Sequence, residues 1–161
     1  MADNLTPEKR SWNMSRVKSK NTKPELVLRS LLHSAGYRFT VNGPLNNKLP
    51  GKPDLVLPKY RSVAFVHGCF WHRHAGCKQT RTPKTNVEFW EKKFVRNIER
   101  DKENFIKLKT LGWKVIVVWE CQLKKPEEVM RGIRDHLRSS DWSTHEKTEL
   151  AAAEEINPYD A

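Results

Sequence analysis

The stretch Pro53-Asp54-Leu55-Val56-Leu57-Pro58-Lys59-Tyr60-Arg61-Ser62-Val63-Ala64-Phe65-Val66-His67-Gly68-Cys69-Phe70-Trp71-His72 decides how this chain folds. Two short apolar runs, 54–57 and 62–66, flank a turn at Pro58–Arg61, which predicts a β-hairpin. A hairpin of that length returns the end of its second strand to the beginning of its first. Asp54 and His67 are therefore expected at one end of the sheet, with His72 just beyond. A carboxylate beside neutral imidazoles can hold magnesium and position a water for attack on phosphorus. An imidazole, with an unperturbed pKa of about 6.5, can take that water's proton. Taken singly, each residue has an ordinary explanation: an Asp after Pro as a turn residue, His67 as a strand end, His72 as a surface side chain. Their gathering at one strand end carries the reading.

Working outward, Thr22 and Glu25 form a capping-box pattern with Pro24 in the first turn, opening a helix with Leu28, Leu31 and Leu32 on one face and Gly36 at its end. Tyr37, Phe39 and Val41 alternate with polar residues and predict a strand. Residues 42–53, rich in Pro and Gly, predict a loop. Downstream, Thr85 and Glu88 repeat the capping-box pattern before a long helix carrying Trp90, Phe94, Ile98, Phe105 and Leu108, closed by Gly112. Trp113–Trp119 is almost wholly apolar and predicts a buried central strand. Pro126–Arg138 predicts a last helix. The order α-β-β-β-α-β-α argues for an α/β (α+β) fold with a mixed central sheet flanked by helices. It divides into a basic arm (1–23), a core domain (24–138) and an acidic, loosely ordered tail (139–161).

Charge narrows the function. The tail carries one basic and six acidic side chains, so residues 1–138 hold 29 Lys and Arg against 13 Asp and Glu, a net of +16. That excess points to a polyanion, foremost nucleic acid. No apolar run approaches the roughly 20 residues of a membrane span, and Met1–Arg16 lacks the apolar core of a secretion signal. A cytoplasmic, nucleoid-associated location is expected. The three cysteines, Cys69, Cys77 and Cys121, are an odd number without an export signal, which favours a metal over disulfides. Joined by His74 they make a Cys₃His set suited to tetrahedral zinc. Four protein ligands leave no open position, so such a zinc is structural. It would pin the segment Gly68–Pro83, which has little core-forming periodicity of its own.

The runs Pro50-Gly51-Lys52-Pro53-Asp54 and Phe65-Val66-His67-Gly68-Cys69-Phe70-Trp71-His72 closely resemble the very-short-patch repair (Vsr) mismatch endonuclease family. So do Glu88-Phe89-Trp90, Asn97, Glu99-Arg100-Asp101, and Gly112-Trp113 through Val118-Trp119-Glu120-Cys121, so that the likeness runs from about Arg10 to Cys121. The resemblance implies a fold related to the restriction endonucleases. It implies that Asp54 binds magnesium with the backbone carbonyl of Val66, where relatives often carry Thr. His72 would orient and deprotonate the attacking water, His67 would assist at the phosphate, and Glu25 would be a supporting acid. Cys69, His74, Cys77 and Cys121 would bind zinc. Phe70 and Trp71 would wedge into the duplex, with Met14 entering from the other groove. The implied substrate is double-stranded DNA with a T:G mismatch left by deamination of 5-methylcytosine, nicked 5′ of the thymine. The implied enzyme is a monomer linked in function to a cytosine-5 DNA methyltransferase.

Two other readings fit the same residues. A zinc-stabilised DNA-binding module needs the basic surface and the cysteines, but neither Asp54 nor His72. A restriction-type or structure-specific nuclease needs both of those, but not the wedge of Phe70 and Trp71.

Overall fold

Three strands, β1 (Leu55–Leu57), β2 (Ser62–His67) and β3 (Lys114–Trp119), form one mixed sheet in the order β1-β2-β3, in a computed structural model that describes residues 5–139. The hairpin forms as expected: β1 and β2 pair antiparallel, Leu55 against Ala64 and Leu57 against Ser62. A single 3-10 turn, Pro58–Tyr60, joins them, and Arg61 closes it in the left-handed conformation at φ 45°. The Arg61 guanidinium donates to the carbonyls of Leu111 (2.9 Å) and Gly112 (3.0 Å), tying the hairpin to a helix end fifty residues away.

The sheet is flanked by helices. These are α1 (Pro7–Ser15), α2 (Lys23–Ser34), α3 (Pro44–Lys48), the one-turn α4 (Cys69–His72), α5 (Val87–Thr110) and α6 (Pro126–Arg138). On one sheet face, Leu28 and Leu32 of α2 and Ile133 and Leu137 of α6 pack on Leu55, Leu57, Ala64, Ile116 and Val118. On the other, Leu49 and Leu108 cover Val56, Val63 and Phe65. Helix α5 crosses over between β2 and β3, which lets those strands run parallel.

Four expectations need correction. β3 is not central: it pairs only with β2 among the described residues and is buried at alternate positions, whereas β2 is buried almost throughout. Tyr37–Val41 is not a strand; only Thr40 bridges Val56, while Tyr37, Phe39 and Val41 pack against the core. At that bridge the Thr40 carbonyl accepts both the Val56 amide (3.1 Å) and the side-chain amide of the buried Asn46 (3.0 Å). The presumed loop 42–53 contains α3, which carries that Asn46. Finally, Thr85 does not cap α5: left-handed Asn86 precedes the helix, and Glu88 instead pairs with Lys92 at 2.6 Å. The residues read as an arm include α1, capped by Thr6 and without a buried side chain. The acidic tail, from residue 140 on, lies outside the described residues. Among the described residues no helix is long and apolar enough to cross a membrane.

Asn46 also donates to the carbonyl of Pro53 (3.1 Å) and accepts from the Thr40 hydroxyl (2.8 Å). It thus fixes the backbone just before Asp54. Truncation strands several buried polar groups, so Asn46→Ala is expected to cost roughly 2–4 kcal/mol in urea unfolding. A loss below about 0.5 kcal/mol, the scale of an ordinary surface substitution, would contradict this role.

Candidate active site and metal centre

A cleft of about 760 Å³ opens at the end of the sheet where β1 begins and β2 stops, and Glu25, Asp54, Val66, His67, His72 and Asp101 all line it. The hairpin supplies three of these. Asp54 stands just before β1, and its Oδ2 accepts the Val66 amide of β2 at 2.7 Å. Burial pushes its carboxyl up to about 6; the Val66 hydrogen bond and the charges of Arg29 and His72 work against that rise, and Glu25 adds to it. Glu25 faces the same cleft from α2 and is itself buried. Its carboxylate accepts from Asn21 N–H (2.9 Å), Thr22 hydroxyl (2.9 Å) and Arg29 (3.0 Å). The capping pattern at Thr22 is thus realised with the Asn21 amide as the backbone donor.

His67 ends β2, buried between Phe105 and His72. Burial first, and the neighbouring His72 second, lower its pKa to about 3, so the ring is neutral near neutral pH. His72 ends α4. Its ring stacks on His67 with centroids 3.8 Å apart and planes 10° from parallel, and its Nδ1 lies 2.5 Å from Asp101 Oδ2. An imidazole held at Nδ1 by a carboxylate keeps Nε2 free to accept a proton. His67, His72 and Asp101 converge within 4.8 Å, yet they make a poor ion cage. Ring nitrogens bind metals in the ring plane, and one ion cannot lie in two parallel planes. The arrangement suits a ring held by a carboxylate better than an ion.

Asp101 is the residue that sequence reasoning left without a role. A signal existed: Phe94, Asp101 and Leu108 recur every seven residues, and these three are the buried side chains of α5. A carboxylate on an apolar stripe needs a buried partner.

Beyond α4 the chain turns through left-handed Arg73 and Gly76, bringing Cys69, His74, Cys77 and Cys121 within 4.8 Å of one another. His74 Nδ1 lies 3.6 Å from the Cys69 sulfur and 3.2 Å from that of Cys121, and its ring stacks on Trp119 at 4.3 Å. Tetrahedral zinc, with bonds of about 2.3 Å to sulfur and 2.0–2.1 Å to nitrogen, sets sulfur–nitrogen edges near 3.6 Å. The four side chains fit such an ion.

The aromatic residues divide. Trp71 borders the cleft, with Lys93 5.0 Å from its ring. Phe70 packs edge-on against Trp90 (5.4 Å) and Phe94 (5.2 Å). Met14 is 45% exposed on α1 and does not line the cleft, although Lys18 and Lys20 just after α1 do. Of the basic residues on α5, Arg100 lines the cleft, and Lys92 is paired with Glu88.

A positively charged α/β domain with acids and imidazoles gathered at a sheet end has the parts of a DNA-cleaving hydrolase. Comparison with known proteins agrees. Residues 2–79 match the family model for DNA mismatch endonuclease Vsr. The chain is 49% identical over 123 residues to the type II nicking enzyme V.XorIIP of Xanthomonas oryzae, covering 76% of this chain and 88% of that one. It is 47% identical over 124 residues to the type II nicking enzyme V.NmeAIP of Neisseria meningitidis (77% and 86% covered). To the DNA mismatch endonuclease Vsr of Escherichia coli it is 43% identical over 129 residues, 80% of each chain. The chain belongs to the Vsr family of DNA mismatch endonucleases.

The raised pKa of Asp54 has a consequence for stability. The folded protein holds that proton more tightly than the unfolded chain, so the contribution is full below about pH 4 and is lost as pH rises through about 6. Without added divalent cation, Asp54→Asn is expected to be more stable than the parent at pH 8, by on the order of 2–3 kcal/mol, with the gap closing toward pH 4. Equal stability of the two proteins at pH 8 would show that burial does not strain this carboxylate.

Proposed function

We propose that the protein nicks one strand of double-stranded DNA on the 5′ side of the thymine in a T:G mismatch, the lesion left when 5-methylcytosine deaminates. The observation that carries the proposal is the His72–Asp101 pair at 2.5 Å, set in one cleft with the buried Asp54. The printed names of its relatives, mismatch endonuclease and nicking enzyme, support cleavage of one strand at a mispair.

Asp54 and the backbone carbonyl of Val66 would hold Mg²⁺, with Glu25 deepening the negative potential. A desolvated carboxylate is a poor lone anion, and its pKa near 6 reflects an environment that a cation would relieve. When bound, the ion supplies positive charge against the charge developing on the phosphate. His72 Nε2 takes the proton of the attacking water, while Asp101 fixes the ring and stabilises the imidazolium. His67, neutral and buried, donates a hydrogen bond to the phosphate. The Cys69–His74–Cys77–Cys121 set would hold a structural Zn²⁺, since four protein ligands leave no position for a reacting water.

Trp71 and Phe70 form the wedge, with Met14 approaching from the opposite groove. A mispaired step costs less to unstack than a paired one, by on the order of a few kcal/mol, which is enough to discriminate. The scaffold is restriction-endonuclease-like, with residues 1–23 as a basic DNA-binding arm on the 24–138 domain and the acidic tail, 139–161, outside it. The protein acts as a monomer on the nucleoid in the cytoplasm, at sites set by a cytosine-5 DNA methyltransferase.

In a magnesium-dependent nicking assay, Asp54→Ala is expected to abolish cleavage and Asp101→Asn to slow it by about 100-fold. Both should bind a T:G duplex within a few-fold of the parent. Cleavage should follow the order mismatched, then matched, with branched duplexes untouched. Unimpaired nicking by Asp54→Ala would leave a DNA-binding module as the better reading. Equal cleavage of all three substrates would favour a restriction-type or structure-specific nuclease.

A further inference from the structure

Strands β2 and β3 end in register, His67 beside Trp119. Past that rung the chains part: one enters α4 through Gly68, the other a 3-10 turn, Glu120–Lys124. Gly68 stands at the cap position of α4 with no side chain to accept the helix's first amides. A carboxylate from the other strand takes that place, because the Cys69 amide donates to Glu120 Oε1 at 3.0 Å, across 51 positions of sequence. The bond acts as one more rung beyond the end of the ladder.

Its location joins two centres. Glu120 lines the cleft and immediately precedes Cys121, while the amide it accepts belongs to Cys69, so the bond ties the backbone of one member of the Cys₃His set to the side chain of the residue next to another. Three residues past that amide lies His72. A metal tether through the Cys69 sulfur alone leaves the Cα–Cβ bond free to turn; adding a bond at the amide fixes the orientation of α4. From the other side α5 grips the same short helix through Asp101 on His72 and Asn97 on the Trp71 carbonyl (3.0 Å).

We propose that Glu120 is a positioning residue for strand cleavage: its carboxylate clamps the start of α4 to the end of β3 and so holds the imidazole of His72 in register with Asp54. The inference rests on the nuclease reading given above. A purely structural role, in which the bond serves folding or metal retention alone, is the competing account. It differs in what a conservative replacement does, because glutamine keeps an oxygen acceptor at the same reach.

The test compares zinc-loaded parent, Glu120→Ala and Glu120→Gln by steady-state nicking of a T:G duplex, bound zinc, and amide hydrogen exchange of residues 68–72. For Glu120→Ala the expected result is a 10- to 100-fold fall in kcat, the range seen when an outer hydrogen-bond partner is lost, with KM within about threefold. Zinc content should be unchanged and exchange faster. Glu120→Gln should return kcat to within about fivefold of the parent, with exchange slowed again. Parent-like kcat in Glu120→Ala overturns the inference, as does loss of zinc from it. An equal fall in both variants also overturns it, since the charge and not the clamp would then matter. If the parent itself fails to nick, the nuclease reading fails separately, and unchanged exchange in Glu120→Ala would still reject the clamp.

Discussion

The parallel pairing of β2 with β3 ends on the rung His67–Trp119, and the residues on which the proposed chemistry rests gather around that rung. One strand continues into Cys69 and His72, the other into Glu120 and Cys121. Asp54 is brought to the same place because β1 runs antiparallel to β2, and its side chain bonds the Val66 amide one residue before the ladder stops. Were the register to slip by one residue, every side chain of the strand would change face. Leu55, Leu57 and Ala64 on one side, and Val56, Val63 and Phe65 on the other, hold the register through two separate apolar clusters.

Burial gives the gathered groups different tasks. Asp54 and Asp101 are both acids in the same cleft, but only Asp101 has an imidazole at hydrogen-bond distance, while Asp54 has a backbone amide and an acidic neighbour. In the proposed mechanism the first arrangement steers a base, and the second takes a cation. The two histidines divide in the same way. His67 is desolvated and stays neutral, whereas His72 is tied to a carboxylate and keeps a nitrogen toward the cleft. Stacking the rings gives them a common orientation, so positioning one helps to position the other.

Much of this was legible in the residues. The hairpin announced itself through two apolar runs and a Pro-Lys-Tyr-Arg turn, and the grouping of Cys69, His74, Cys77 and Cys121 followed from counting thiols and asking what a coreless segment needs. Partnerships made by tertiary contact were harder to see. The apolar run of β3 reads the same whether the strand is central or at an edge, because helices cover Ile116 and Val118 without a second neighbouring strand. Tyr37–Val41 alternates like a strand, but only Thr40 makes a bridge, to Val56, while Tyr37, Phe39 and Val41 pack against the core. Asp101 was visible only as an acid at heptad spacing from Phe94 and Leu108. Glu120 carried no local signal at all, since its partner lies 51 residues earlier.

The most direct measurement is anomalous X-ray scattering from crystals soaked in Mn²⁺ as a stand-in for magnesium. The account predicts a peak against the Asp54 carboxylate and the Val66 carbonyl, with the stacked pair of His67 and His72 unmoved and His72 still joined to Asp101. A peak between those two rings and Asp101, with none at Asp54, would contradict it: the imidazoles would then be ligands, and the base would have to be sought elsewhere.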